Sequence, residues 1–404
     1  MNPKKSLGIL FFTIFLDLMG YGLIIPLLPD YARSLGASAL LVGVVAAAYS
    51  ITQFLFGPVL GSLSDRFGRR PVLLFTIALN VVAYLVFGLA HTLPLLLASR
   101  LLAGAASGNL SVAQAYITDI TPPEGRAKAL GLIGAALGLG FIFGPPIGGA
   151  VKLYLGIEWV GYVAALLAAL NLLLALVRLP ESLPATATAR AARPVRFFDG
   201  AALATVGRSP QLVRLFGVYF LFTLAFALLA VSGAMLWKDR FGLNPAQVGY
   251  TFAGIGVVMA VVQGGLLGRL VPRFGERRLF VTGLLLMALG FAPMPFVAPG
   301  AFGTAELGLI AVFALGYALV LPTGTALVSR LVGQAEQGQL LGQYQSTAAL
   351  ARIAGPVLGS TLYGWHQAAP YLVGGGLMLL TWLVAQGIRQ PGAVPTPAGV
   401  PATA

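Results

Sequence analysis

The sequence predicts an all-α membrane protein of twelve transmembrane helices, arranged as two pseudo-symmetric six-helix bundles. Three observations predict it. Of 404 residues, 58% are hydrophobic and only 9% charged, whereas a soluble protein carries roughly 25% charged residues because its surface must face water. Apolar runs of about 20 residues, the length that crosses a bilayer, recur along the whole chain. A ten-residue segment beginning at Gly61 returns at Gly268 and divides those runs into two sets of six.

Nine intervals free of Asp, Glu, Lys and Arg are long enough to span: 34–64, 71–99, 129–151, 159–177, 215–237, 241–268, 279–305, 307–329 and 353–388. Three more spans hold one charge each: 6–29 around Asp17, 93–118 around Arg100 and 337–362 around Arg352. The first span follows Lys4 and Lys5 and is too long for a signal-peptide core, so it is expected to be retained. Pro180 to Pro210, with four Pro and four Arg, is the one conspicuous polar interval. It predicts a connector between residues 1–179 and 211–389. The Pro-rich residues 390–404 read as a disordered tail.

Basic residues accumulate in cytoplasmic loops. With the N-terminus inside, nineteen of the 25 Lys and Arg fall on the inner side, and only Arg33, Lys152, Lys238 and Arg240 fall outside. Both termini are therefore expected in the cytoplasm. The net charge of +13 then describes topology and contact with the lipid bilayer, and no nucleic-acid partner is implied. Zero Cys and two His, His91 and His366, leave no thiolate or zinc constellation. No Lys follows Gly as in a phosphate-binding Walker loop. No cofactor and no metal are expected, and an enzyme is disfavoured.

The repeat aligns Gly61-Ser-Leu-Ser-Asp-Arg-Phe-Gly-Arg-Arg70 with Gly268-Arg-Leu-Val-Pro-Arg-Phe-Gly-Glu-Arg277, six identities in ten. A second pair, Gly144-Pro-Pro-Ile-Gly148 and Gly355-Pro-Val-Leu-Gly359, falls in the fifth span of each half. Parallel repeats around a central cavity are a secondary-transporter architecture.

With Leu16-Asp-Leu-Met-Gly-Tyr-Gly-Leu-Ile-Ile-Pro-Leu-Leu-Pro29, residues 61–71, Ser99-Arg-Leu-Leu-Ala-Gly104 and Gly140-Phe-Ile-Phe-Gly-Pro-Pro-Ile-Gly-Gly149 in order along the chain, the sequence resembles the major facilitator superfamily. Within it, the resemblance is to twelve-helix drug:proton antiporters, tetracycline and multidrug efflux proteins included. It implies antibiotic resistance by proton-coupled export through alternating access. The implied partners are protons and a small-molecule substrate, and the implied setting is a bacterial inner membrane, with the protein working as a monomer.

Asp17 lies about 15 Å into the first span at ~1.5 Å per residue, near the bilayer midplane. An acid there must be paired, wetted or protonated, and Asp17 is expected to alternate between proton and substrate. Permanent packing is the plain alternative. Arg100 is expected to act on Asp17 as a fixed charge, since Arg does not shed its proton, and the resemblance implies a part in proton transfer. In residues 61–71, Gly61 and Gly68 permit close approach or positive φ, and Asp65 can face a helix N-terminus. Arg66, Arg69 and Arg70 anchor the inner surface. The resemblance implies a gate, in which Asp65 touches the C-terminal half and an Arg pairs with Asp119. Pro272 stands where the second copy would need that acid. Gly140, Gly144 and Gly148 form a small-residue seam, interrupted by Pro145 and Pro146, which remove hydrogen-bond donors. The resemblance ties this seam to antiport.

Candidate cavity residues are Tyr49, Gln53, Asn80, Asn109, Gln114, Gln263, Tyr317, Gln343, Tyr344 and Arg352. Tetracycline exporters carry further acids in the third and ninth spans, and this chain has none between Asp65 and Asp119 or between Glu276 and Glu306. Lipophilic or weakly cationic compounds are therefore the expected substrates. A sugar or metabolite carrier is the rival within transport, and a receptor or intramembrane enzyme the rival outside it.

Overall fold

The computed structural model describes residues 3–121, 126–183, 206–207, 209–331 and 334–388. The central part of the expected connector and the expected tail lie outside them. Twelve long helices follow one another: α1 Ser6–Ser34, α2 Ala39–Phe67, α3 Arg69–Gly88, α4 Leu93–Ile120, α5 Arg126–Leu155 and α6 Ile157–Arg178. The second set is α7 Pro210–Asp239, α8 Pro245–Phe274, α9 Glu276–Phe296, α10 Pro299–Val328, α11 Gln334–Trp365 and α12 Ala369–Gln386. Eleven are long and apolar enough to cross a membrane by length and composition. The other is α11, whose Gln-rich start and Arg352 lower its mean hydropathy. The alternation puts every odd helix start, and the described ends of the chain, on one side. That side is called the terminal end below, and the opposite side the far end.

Local chemistry sets several helix boundaries. Ser38 and Ser209 hydroxyls accept the backbone N–H groups of Leu41 and Leu212 at 3.4 and 3.3 Å, which satisfies donors that a helix start leaves orphaned. Asn244 and Gln247 form a reciprocal capping box, both bonds 2.9 Å, ahead of Pro245 at the first helical position. Gly68 and Gly275, at φ +99° and +77°, make the sharp turns between α2 and α3 and between α8 and α9. These are equivalent positions of the two repeats.

The spans expected at 71–99 and 93–118 overlap, and the structure divides them where the second was expected to begin: α3 stops at Gly88 and α4 starts at Leu93. Absence of charge does not reveal where a helix turns back. Helix α10 starts before the expected 307, so Glu306 lies within a helix, inside a π-helical turn at Phe302–Glu306.

The two sets of six are joined at the far end. A Cβ placed on Gly43 of α2 would lie 2.5 Å from Val357 Cα of α11, and one on Gly149 of α5 would lie 2.3 Å from the Pro245 carbonyl oxygen of α8. Arg33 pairs with Asp239 at 2.9 Å, and Asp30 pairs with both Lys152 and Lys238. Toward the terminal end, Gly61, Gly138, Gly264 and Gly268 have nothing within reach of a Cβ. Among the described residues the halves thus meet closely at the far end, and these glycines toward the terminal end meet nothing.

Candidate functional site

Asp17 sits midway along α1, half-buried in a cavity of the first bundle that Tyr49, Gln53, Asn80, Tyr84, Ser107 and Asn109 also line. Its carboxylate is held by amides. Asn109 donates to Oδ2, Asn171 donates to Oδ1 at 3.5 Å, and Asn80 completes the set. Asn171 is fully buried and also donates to the Thr13 carbonyl at 3.2 Å, which fixes α6 against α1. Helices α1, α3, α4 and α6 each contribute one residue. Buried polar groups require partners, and here neutral donors supply them; no cation among the described residues is paired with the carboxylate.

Arg100 is not among these partners. It is 2% exposed, its guanidinium carbon lies 5.0 Å from the centre of the Phe87 ring, and its Nε donates to Ser99 at 3.3 Å. Its Nη2 has no hydrogen-bond partner among the described residues. Arg100 and Arg352 both act electrostatically on Tyr21, which packs on Tyr49 with ring centres 4.6 Å apart. No described acid pairs with either guanidinium. Tyr84 lies within electrostatic reach of both Asp17 and Arg100, so the fixed-charge role expected of Arg100 does not take the form of a direct ion pair among the described residues.

Of the other expected cavity residues, Tyr344 is 1% exposed and stacks on Tyr219 at 3.8 Å, so it belongs to the packed core of the second bundle. Gln343 is buried as well. Tyr317 stacks on Phe226 at 4.2 Å. Gln263 occupies a π-helical turn, Val262–Leu266, with its amide 3.5 Å from the Ala318 carbonyl. Gln114 is exposed and does not line the Asp17 cavity. The wall of that cavity comes from helices α1 to α4, which the sequence could not isolate because every span carries some polar residue.

At the terminal end, buried Arg69 reaches Asp119 at 3.0 Å, Asp65 at 2.6 Å and Ser64 at 2.6 Å. The expected pairing of an Arg with Asp119 is present. The expected contact of Asp65 with the second half is not seen among the described residues. Gly61 likewise approaches nothing in this state. Arg66 lies over Phe67, 5.2 Å from the ring centre. Arg70 donates to the Leu176 carbonyl at 2.8 Å, and its repeat counterpart Arg277 donates to the Gln386 carbonyl at 2.8 Å. Each ties the third helix of its bundle to the end of the sixth.

The seam on α5 is a double one. Cβ atoms on Gly140, Gly144 and Gly148 would meet the α1 backbone at 3.0, 2.8 and 2.1 Å. On the opposite side, a Cβ on Gly249 of α8 would lie 2.3 Å from the Pro145 carbonyl oxygen, with Pro146 alongside. Helix α5 is therefore packed backbone to backbone against its own bundle and against the other.

Sequence reasoning missed Asn171, Glu181 and Glu306. Asn171 carried a signal, as a lone amide in the apolar run 159–177. Glu306 carried the opposite signal, since a charge marks the end of an apolar run.

A family model described as Major Facilitator Superfamily matches residues 10–270 and 215–402. The chain belongs to the major facilitator superfamily. It is 33% identical over 392 residues to the class C tetracycline resistance protein of Escherichia coli, covering 94% of this chain and 96% of that protein. Multidrug resistance protein 2 of Bacillus subtilis is 29% identical over 94% of each chain. Among solved structures, the human organic anion transporter MFSD10 (TETRAN) superposes with a TM-score of 0.71 at 28% identity, covering 96% of this chain and 100% of that one. Superfamily membership and the apolar helices make this an integral membrane transporter, not an enzyme.

Proposed function

We propose that this chain exports lipophilic, drug-like compounds in exchange for protons, with Asp17 as the group that carries the proton. The amide cage around Asp17 carries the reading. Asn80, Asn109 and Asn171 donate to the carboxylate, and an Asn amide can turn its oxygen to accept from a protonated carboxyl. The Asn171 Oδ1 has no hydrogen-bond partner among the described residues. The site can therefore hold either charge state without breaking an ion pair, as reversible proton transfer at the membrane midplane requires. The Tyr21, Tyr49 and Tyr84 rings beside it suit an aromatic or lipophilic substrate.

Alternating access fits the asymmetric closure of the halves. With the basic-residue bias placing the termini in the cytoplasm of a bacterial cell, the present state is closed to the outside and open inward. Residues 1–179 and 211–389 act as the rocking units and 180–210 as their cytoplasmic connector. The Arg69 cluster is then half of an inner gate, and its Asp65 becomes available to the second bundle when the inner ends close. The cavity and both gates lie within one chain, in keeping with a working monomer.

A second reading concerns substrate charge. Arg100 and Arg352 have no acidic partner among the described residues, and an anionic compound would find them attractive, in line with the description of the human relative. The two readings differ in sign. A cation competes with the proton for Asp17 and gives exchange, whereas an anion binds better when Asp17 is neutral and moves with the proton. Proteoliposomes with an imposed pH gradient separate them by the direction of substrate flux relative to proton flux. Asp17→Asn should abolish gradient-driven flux of either kind; undiminished accumulation by that variant would remove Asp17 from the mechanism. Sugar uptake in the same vesicles would favour a metabolite carrier.

A further inference from the structure

Glu306 is a buried acid of the second bundle, near its far end, and the paired Glu276 is the other buried acid of that bundle among the described residues. Glu306 is 0% exposed at the start of α10. Its Oε1 accepts the indole N–H of Trp237 at 2.9 Å, and its Oε2 has no hydrogen-bond partner among the described residues. The surrounding turn is π-helical, a local irregularity that recurs at functional sites. Few charges face it. Arg240, just past the end of α7, acts on it electrostatically but directs its Nε to the Val297 carbonyl at 2.9 Å. Tyr371 of α12 lies within its electrostatic reach, and the Phe252 ring of α8 covers the indole, centres 5.2 Å apart. A fully buried carboxylate with one oxygen unmatched is poorly compensated, and taking up a proton removes the mismatch.

Trp237 links this acid to the contact between the halves. It is itself fully buried, and the next two residues, Lys238 and Asp239, form that contact. Lys238 pairs with Asp30, and Asp239 accepts from Arg33 at 2.9 Å and from Tyr363 at 3.1 Å. We propose that Glu306 is a second proton-binding site, and that Trp237 transmits its charge state to the far-end latch formed by Asp30, Arg33, Lys238 and Asp239. The ionised carboxylate holds the indole by a charge-assisted bond and keeps the end of α7 in its closed position. Protonation makes that bond an ordinary one and loosens the latch, so a proton arriving from the far side favours opening toward it. Glu306 titrates in this scheme whether or not Asp17 carries the transport proton.

The chain has four Trp and no Cys, which makes both halves of the proposal measurable. In a protein with Trp159, Trp365 and Trp382 replaced by Phe, Trp237 is the sole indole. Its emission should follow a single proton step between pH 5 and 9, and Glu306→Gln should abolish the step and hold emission at the acid-side value. Glu306→Asp, which keeps an ionisable group, should restore a step at a shifted midpoint. A flat emission profile with Glu306 present, or a step that survives Glu306→Gln, overturns the proton site. For the latch, an Ala39→Cys/Gly364→Cys pair reports closure through its oxidation rate. The thiols' own titration slows oxidation on acidification in both backgrounds, so the readout is the ratio of the rate with Glu306 present to that in Glu306→Gln, which should fall at least twofold on acidification. Equal pH dependence in both backgrounds overturns the link to the latch. None of these readouts needs a substrate, so their outcome is separable from that of the Asp17 experiment.

Discussion

The carboxylate of Glu181 accepts the backbone N–H of Arg69 at 2.9 Å and, through its other oxygen, that of Arg70 at 3.0 Å. The residue that leaves α6 thus caps α3, more than a hundred positions away in sequence. Alongside it, Ser182 donates to Asp119 at 3.1 Å, and Tyr116 donates to the Pro180 carbonyl at 2.8 Å. The first residues of the expected connector are therefore fastened to the Arg69 cluster. Whatever moves that cluster also pulls on the chain that joins the two bundles.

Replacing the cap should be felt as lost stability. Glu181→Ala leaves two helix-start donors unmatched beside buried Arg69 and should cost about 1–2 kcal/mol. Glu181→Gln should cost less, because it keeps one acceptor. Thermal unfolding in detergent, followed by circular dichroism, orders the three proteins, and equal midpoints would show that water caps the helix as well.

The two motif glycines should separate sharply. At Gly68, φ is +99° and a Cβ would lie 2.6 Å from the Glu181 carboxylate, so Gly68→Ala should destabilise by about 1–3 kcal/mol. At Gly61 a Cβ meets nothing, and Gly61→Ala should leave the melting midpoint within about 0.5 kcal/mol of the parent. If the inner ends close during transport, Gly61→Ala should instead slow turnover. Unchanged flux in that variant would show that the close approach expected at Gly61 occurs in no state.

Along α5 the same comparison tests the seam. Gly148→Ala would set a methyl group 2.1 Å from the Leu23 carbonyl oxygen. Backbone cannot move aside cheaply there, and a loss of about 1–3 kcal/mol is expected. Gly138→Ala, with open space at its Cβ, should be neutral or slightly stabilising, by up to about 1 kcal/mol from helix propensity. Reconstitution yield and melting midpoint both report the difference.

The far-end latch should respond to charge removal and to salt. Its pairs are partly exposed, Arg33 and Asp239 by 32% and 27% of their side chains, so each contributes about 0–1 kcal/mol and salt screens it. Asp30 serves two lysines, and Asp30→Asn should therefore weaken closure more than Lys152→Gln. The Ala39→Cys/Gly364→Cys pair provides the measurement. A Cβ on Gly364 falls 2.5 Å from that of Ala39, and a small relaxation brings the pair to the ~3.8 Å of a disulfide. Oxidation should trap the closed state and stop transport until the bond is reduced, with a lower yield in Asp30→Asn and at high salt.

What could be read from the chain alone was what a bilayer imposes residue by residue. Apolar runs of spanning length, the side on which Lys and Arg accumulate and the recurrence of residues 61–70 at 268–277 determined twelve helices, their alternation and their division into two sets. They also singled out Asp17, because a charge in such a run is costly enough to stand out. Partnership was not legible, since it depends on which helices stand side by side. The amide cage brings three helices to Asp17 on a fourth. Asn171 looks like any packing amide until α6 lies against α1, and nothing in the sequence shows that Arg100 lies over the Phe87 ring and bonds Ser99. Glu306 looks like loop punctuation because a charge ends an apolar run on paper, while in the folded chain a neighbouring helix supplies the indole N–H that lets it lie inside. The sequence by itself determined which segments enter the membrane, by the transfer energetics of single residues. Only the tertiary structure decided which charges meet, because side-chain pairing inside a bundle is set by helix neighbours that no local pattern encodes.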